Sequence, residues 1–346
     1  MKYYHLLLPT CLLCLFTACE PKFDLNAPYK DVTVVYGILN YQDSIHYVKI
    51  YKGFQSNDVY IDARNPDNIY YYDDINVALL ESKDGRSTGR RIPLKYTHDF
   101  PRDAGIFYYE DERIIYYTTE EIKQGMDYKI VIKNNLTEKV TTGETPIVDD
   151  FKITTFGAVD MTALKGTISF SKAEHAAGYE IHVNFLYFEV DKNTNQVVKT
   201  GKISKNITPE PGQGFRTNST TGDFFQDFAL TFYDDIAAQL KPNDDVIRYM
   251  GRPNSKSPIE VIGWAAGESM INFLLSSRPT NSFTQVNTIY TNMETAKGEL
   301  VFGFLSSKVE TKPPTYLPIV PTSEEELIQG SKTGHLGFRP YIEYRP

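Results

Sequence analysis

Cysteine is scarce in this chain, and its placement excludes several kinds of chemistry. The three cysteines are Cys11, Cys14 and Cys19, and none follows position 19. Beyond that position the chain has no thiol for a disulfide, a thiolate metal site or a cysteine nucleophile. The folded part of the protein must therefore hold together without disulfides.

Long apolar runs and a surplus of basic residues are missing as well. The apolar run from Leu6 to Phe16 contains Pro9 and is shorter than the about 20 residues with which a helix crosses a bilayer. The chain has 36 Lys and Arg against 44 Asp and Glu, a formal net charge of −8. Because an acidic surface repels phosphate backbones, we expect no nucleic-acid partner.

Patterns typical of catalysis or metal binding are sparse too. The histidines lack metal-ligand spacing, and acidic pairs such as Asp73-Asp74 lack the spacing of a calcium loop. Ser169 to Lys172 and Lys332 to Gly334 share letters with a penicillin-binding serine site, but the first lies in a strand pattern instead of at a helix start. We expect no catalytic residue, no metal site and no cofactor.

The clearest positive signal lies at the N terminus. Lys2 precedes the apolar run, and Thr17-Ala18 stand directly before Cys19. This order resembles the lipobox of a bacterial lipoprotein signal peptide. A plain secretion signal accounts for the apolar run but not for a cysteine at that place.

Cleavage at this lipobox has two consequences. Residues 1–18 are predicted to be removed as a signal peptide, so that the acylated Cys19 anchors the chain to a membrane. Residues 19–31, which include Pro21 and Pro28, are predicted to form a tether.

The rest of the chain favours strands. It contains 25 Tyr and 20 Phe, and aromatic side chains suit a pleated surface. Period-two alternation is typical of a half-buried strand. Residues 191–222 read as a turn and a long loop, and 234–240 and 323–329 as short helical turns. The predicted strands are 32–39, 46–51, 75–81, 106–109, 114–117, 125–132, 151–154, 166–171, 178–185, 258–264, 270–276 and 299–305.

The fold class that follows is all-β, with a few short helical turns. The chain is longer than one hydrophobic core usually organises, and the strand pattern stops near Thr145-Pro146. We therefore expect two β-sandwich domains, 32–146 and 147–346. The paired runs 166–171 and 178–185 are similar to the central strands of an immunoglobulin-like or fibronectin type III sandwich.

Tyrosines supply the candidate ligand or interface residues. Adjacent tyrosines on a strand send one ring inward and one outward, and exposed tyrosines stack on sugars or anchor protein interfaces. The alternative is that these rings are strand formers that cover the core. The candidates are Tyr70, Tyr71, Tyr72, Tyr108, Tyr109, Tyr116 and Tyr117.

Several short motifs together carry a family resemblance. Besides the lipobox they are Val35 to Leu39 with Tyr47 to Ile50, Gly125 to Ile132, and Gly303 to Ser307. They resemble a family of Bacteroidota outer-membrane lipoproteins of unknown function, often encoded beside TonB-dependent receptors. The resemblance implies an outer-membrane location, an all-β architecture and an accessory role at a TonB-dependent transporter. It brings no catalytic residues.

A modification motif fits the same compartment. Asp43-Ser44-Ile45 matches the Asp-Ser/Thr-apolar pattern that Bacteroidota use for periplasmic O-glycosylation. Ser44 is therefore a candidate glycosylation site. Intact mass measured on the wild type and on Ser44→Ala checks it, and equal glycan content in the two would contradict it.

Three functions follow from the sequence as hypotheses. The leading one is a lipid-anchored, non-enzymatic binding protein that serves a TonB-dependent transporter or an envelope complex. The second is a glycan-binding module that uses the tyrosine doublets. The third is an envelope hydrolase whose site is assembled from dispersed residues. The sequence leaves open which face of the outer membrane the protein occupies.

Overall fold

The fold is built mainly from strands. A computed structural model describes residues 32–53, 65–100, 113–155, 157–163, 165–209, 215–217, 223–229, 232–277 and 290–344. Of these residues 50% lie in strands and 15% in helices. The expectation of a mostly β fold with few helices is confirmed. The predicted signal peptide, the tether with Cys19 and the strand predicted at 106–109 lie outside the described residues.

The strands of the first half are short and closely spaced along the chain. They are β1 (Val32–Leu39), β2 (His46–Gly53), β3 (Ile75–Lys83), β4 (Arg86–Thr97), β5 (Ile115–Thr118), β6 (Asp127–Asn134), β7 (Val140–Pro146), β8 (Lys165–Phe170) and β9 (Ala176–Asp191). In β6, buried and partly exposed residues alternate, as the period of two predicts.

The second half mixes strands with helices. Its strands are β10 (Val197–Asn206), β11 (Arg216–Thr217), β12 (Phe224–Ala229), β13 (Val246–Met250), β14 (Ile259–Gly267), β15 (Met293–Thr295), β16 (Val301–Glu310), β17 (Thr315–Leu317) and β18 (Phe338–Arg339). The α-helices of the whole described chain are α1 (Pro66–Ile69), α2 (Phe232–Gln239), α3 (Glu268–Ser276) and α4 (Pro321–Gln329). Within the described ranges, no helix combines the length and the apolar character needed to cross a bilayer.

One large mixed sheet runs through both halves. Its strand order is β15-β7-β6-β3-β4-β5-β2-β1-β16-β14-β9-β13-β18, with β10 on β9 and β17 on β14. A smaller sheet has the order β11-β12-β8. The parallel pairing of β1 with β16, which places Val35 opposite Gly303, joins the start of the described chain to its last third.

Two large hydrophobic clusters form the core. The first contains side chains of β1, β2, β3 and β6, such as Val35 and Ile130, and also Met293, Val301 and Leu305 from β15 and β16. The second is formed around β9, β14 and α2. Residues late in the chain thus complete the first cluster. The division into domains 32–146 and 147–346 stays a prediction.

Three local predictions were wrong. The strand predicted at 151–154 is reduced to an isolated bridge between Ile153 and Phe170. Residues 270–276, predicted as a strand, belong to α3, because a short apolar run does not distinguish strand from helix. On this helix Phe273 packs against Phe304 and Tyr36, with ring centroids 4.7 and 5.5 Å apart. The loop predicted at 191–222 contains β10, which pairs with β9 over most of its length.

Candidate functional site

Three of the tyrosines predicted to meet a ligand are buried. Tyr70 is 7%, Tyr71 2% and Tyr116 2% exposed, and all belong to the first cluster. The strand alternation expected of adjacent tyrosines does not apply to Tyr70, Tyr71 and Tyr72, because the first two lie between α1 and a 3₁₀ helix, Tyr72–Asp74, and the third begins that helix. The Tyr116 hydroxyl donates to the Tyr72 carbonyl oxygen at 2.9 Å, and burial raises its pKa. These rings stabilise the fold.

The remaining tyrosines do not converge on one site. Tyr72 is partly exposed, and its ring centroid lies 6.0 Å from that of Tyr96. Tyr117 is also partly exposed, and its ring centroid lies 6.5 Å from that of Tyr47. Tyr116 and Tyr117 are adjacent in β5 and so point to opposite faces. Tyr108 and Tyr109 lie outside the described residues. A ligand role for the partly exposed rings stays a prediction.

Ser44 is exposed in the turn between β1 and β2. Asn40 fixes this turn, because its side-chain amide donates to Asp43 Oδ1 at 3.1 Å and its carbonyl accepts from the Asp43 amide at 3.0 Å. The Asp-Ser-Ile motif is therefore presented on a structured turn. Its glycosylation stays a prediction.

The strands around β9 present a second face that the sequence did not single out. Residues of β9 and β14 alternate, so Ile181, Val183, Ile259 and Val261 enter the second cluster and their neighbours point away from it. We call these neighbours, with the flanking residues of β10 and β17, the outer face. It consists of His182, Asn184, Leu186, Lys202, Ser204, Glu260, Ile262, Trp264 and Tyr316.

A groove with a volume of about 680 Å³ opens at one end of the outer face. It forms because β13 ends opposite Tyr187 and β14 begins opposite Phe185, so that residues 251–258 leave the sheet between them. Residues 251–254 of this segment form one wall and β10 forms the other. The groove is lined by Leu186, Tyr187, Thr200, Gly201, Lys202, Gly251, Arg252, Pro253, Asn254 and Glu260.

The wall formed by residues 251–254 is held in place by hydrogen bonds. The backbones of Arg252 and Ser255 exchange two, at 2.8 and 2.9 Å, and the Tyr341 hydroxyl donates to the Pro253 carbonyl oxygen at 2.9 Å. Gly251 has a φ of +90°, and a Cβ there would overlap the Ser255 carbonyl oxygen. Because this wall is already ordered, little conformational entropy is lost when a ligand binds to it. A preorganised site of this kind binds its ligand more tightly than a flexible one.

One carboxylate lines the groove, and it is already engaged. Glu260 Oε2 accepts from the Asn184 side-chain amide at 2.8 Å, and the Tyr316 hydroxyl interacts with the same carboxylate. Burial and this interaction raise the pKa of Tyr316. The Arg252 guanidinium lies 3.7 Å from the centroid of the Tyr316 ring, a cation–π contact. Asn184 Oδ1 is buried and finds no partner among the described residues.

An aromatic group lies farther along the same face. Trp264, the only tryptophan of the chain, is partly exposed and stands edge-on to His182 at 5.2 Å. His182 Nε2 lies 2.7 Å from Glu180 Oε1. Trp264 follows Glu260 by four residues on one strand, a separation of about 13 Å. The outer face thus has a ring at each end, with hydrogen-bonding groups between them.

Sequence reasoning located parts of this site but not the whole. The alternation at 178–185 predicted His182 as a polar strand position, which the structure confirms. The groove itself needs residues 186, 202, 252 and 260, which only long-range strand pairing brings together. A useful signal was the lone Trp264 at an outward position of an alternating strand.

The described residues offer little else for chemistry. Among them, no group of three or more His, Cys, Asp or Glu side chains is placed to hold a metal ion. The groove is therefore the candidate site. In comparisons with known proteins, neither a family model nor a curated protein matches the chain.

Proposed function

We propose that this chain is a lipid-anchored binding protein of a bacterial outer membrane that holds a saccharide in its groove. The observation that carries the proposal is the make-up of the groove, where an apolar floor at Leu186 is combined with Thr200, Asn254 and Glu260 on rigid backbone. Ligand sites typically combine apolar surface with a few fixed polar groups.

A saccharide suits this arrangement for two reasons. Its hydroxyl groups both donate and accept hydrogen bonds, which the amide of Asn254, the hydroxyl of Thr200 and the carboxylate of Glu260 can return. Its C–H faces pack on aromatic rings, and the outer face carries Tyr316 and Trp264 about 13 Å apart along the strand direction. An extended saccharide can therefore contact both.

Binding without hydrolysis is part of the proposal. Glycoside hydrolysis generally uses a pair of carboxylic acids on either side of the scissile bond. Glu260 is the one carboxylate among the described residues that line the groove, and Asn184 and Tyr316 already bond it.

A glycan array followed by titration tests the binding. The full chain, purified in mild detergent, is expected to bind at least one glycan and to change the emission of Trp264 as it does so. Asn254→Ala removes a groove hydrogen bond and should weaken binding by about threefold to tenfold. Asn193→Ala, an exposed turn residue outside the groove, should leave binding unchanged. No glycan above background, or equal effects of the two variants, would refute the proposal.

The anchor and the partner are proposals that rest on the sequence resemblance. The acylated Cys19 would hold the groove at one of the two faces of the outer membrane. There it would lie beside a TonB-dependent receptor that imports the bound ligand. Cys19→Ser should move the protein from the membrane to the soluble fraction. A mild-detergent pull-down of the wild type should recover the receptor, and isolation as a lone chain under several conditions counts against the partnership.

We further propose that the two large clusters mark two β-sandwich units of the immunoglobulin-like kind. The existence of two clusters, one around β1 to β6 and one around β9 and β14, supports this. The late strands β15 and β16 would then complete the first unit.

A further inference from the structure

We infer that the saccharide bound by the groove carries an acidic group, a carboxylate or a sulfate ester. This inference rests on the proposed function and adds the charge of the ligand to it. The observation behind it is a pair of cationic side chains, Lys202 and Arg252, on opposite walls of one groove.

Neither cation is neutralised within the described residues. Lys202 is exposed on β10 and forms no ion pair there. Arg252 is exposed and contacts the Tyr316 ring, which carries no charge in its usual protonated form. The neighbouring carboxylate, Glu260, is bonded by Asn184 and Tyr316 instead. The lining of the groove is therefore net positive.

This local charge runs against the rest of the chain. The formal net charge is −8, so the surface as a whole repels anions, and the positive groove is the place where an anion can approach. Some other surface cations of the described chain are paired with acids, as Lys332 is with Asp234 at 2.6 Å and Lys133 with Glu138 at 2.7 Å.

The two cations are also suited to different parts of an acidic sugar. A guanidinium is planar and can donate two parallel hydrogen bonds to a carboxylate or sulfate. Stacking on Tyr316 restricts Arg252 in advance, which lowers the entropy lost on binding. Lys202 acts as a mobile point charge on the opposite wall.

Calorimetric titration with matched glycans tests the inference. The first pair of probes is oligogalacturonate and its methyl ester, which share one sugar backbone and differ in the charge of the carboxyl group. The second pair is dextran sulfate and dextran, which share one sugar backbone and differ in the presence of sulfate. We expect an acidic member to bind at least about tenfold more tightly than its neutral counterpart, and binding to weaken as salt is added. Preference within the first pair assigns the carboxylate, and preference within the second assigns the sulfate.

Three charge-removing variants complete the design. Arg252→Gln and Lys202→Gln should each weaken binding of the acidic glycan by about tenfold. Lys256→Gln removes an exposed cation from the same loop but outside the groove, and should have no effect. Circular dichroism and urea unfolding confirm that each variant is folded.

The outcomes separate the two proposals. Equal affinity for the charged and the neutral member of both pairs overturns the acidic ligand but leaves saccharide binding standing. A loss of binding in Lys256→Gln as large as in Arg252→Gln also overturns the acidic ligand. The anion would then be attracted by the overall charge of the loop and not by the groove. Failure of every neutral and acidic glycan to bind removes the proposed function itself.

Discussion

A fragment that ends at residue 148 is expected not to fold. It keeps β1 to β7 but loses Met293, Val301 and Leu305, three side chains buried in the first cluster. Burial of each contributes about 1.5 to 3 kcal/mol, which together approaches the about 5 to 15 kcal/mol of net stability of a whole domain. The fragment also leaves β1 with a free edge where β16 pairs with it.

The matched comparison adds the missing strands back. Because β15 runs antiparallel to β7 with Met293 opposite Gly143, residue 290 lies close to residue 146. Residues 32–148 can therefore be joined to residues 290–310 by a short glycine-serine linker. We expect dispersed amide signals and a cooperative urea transition for the joined chain and neither for residues 32–148 alone. A cooperatively folded short fragment would show that β16 is dispensable.

Gly303→Ala is expected to destabilise the protein by about 3 kcal/mol or more. Gly303 has a φ of +89° in the middle of β16, which costs an L residue about 1 to 2 kcal/mol. A Cβ there would also overlap the carbonyl oxygen of Val35, its partner on β1. The two strands would have to separate, and overpacking of this kind costs typically about 1 to 3 kcal/mol.

Gly298→Ala separates backbone strain from this clash. Gly298 also has a positive φ, +66°, but a Cβ there would meet no atom within 4 Å. We expect this variant to lose only about 1 to 2 kcal/mol. Urea unfolding of the wild type and both variants measures the difference. Equal free energies of unfolding for the two variants would mean that β1 and β16 adjust to a side chain between them.

Local pattern predicted the strands but not their partners. Local pattern located β6 through its alternation, and β1, β2 and β14 through runs rich in β-branched and aromatic residues. It missed β10, whose outward residues are polar or exposed, and it mistook α3 for a strand. The contacts that decide these two segments, the hairpin pairing of β10 with β9 and the packing of α3 on Phe304 and Tyr36, leave no apolar period in the sequence.

The candidate site was less accessible to prediction than the fold. The tyrosine doublets were conspicuous in the sequence, yet Tyr71 and Tyr116 proved to be core residues. The groove joins β10 to a turn about 50 residues later in the chain, and two of its lining residues, Arg252 and Glu260, are contacted by Tyr316 from β17. Nothing in the spacing of Lys202, Arg252 and Glu260 indicates that they share one cavity. They come together because β9 pairs with β10 along one edge and with β13 and β14 along the other.

The pairing of β1 with β16 also sets an order of events during synthesis. The first strand ends at Leu39, but its parallel neighbour begins at Val301, about 260 residues later. At an elongation rate of about 5 to 20 residues per second this is a delay of about 13 to 52 s. Throughout that interval an apolar strand edge has no neighbour, which is the condition under which nascent chains associate wrongly. The first cluster can therefore be completed only after β16 has been made, so that the folding of the N-terminal half depends on residues near position 310.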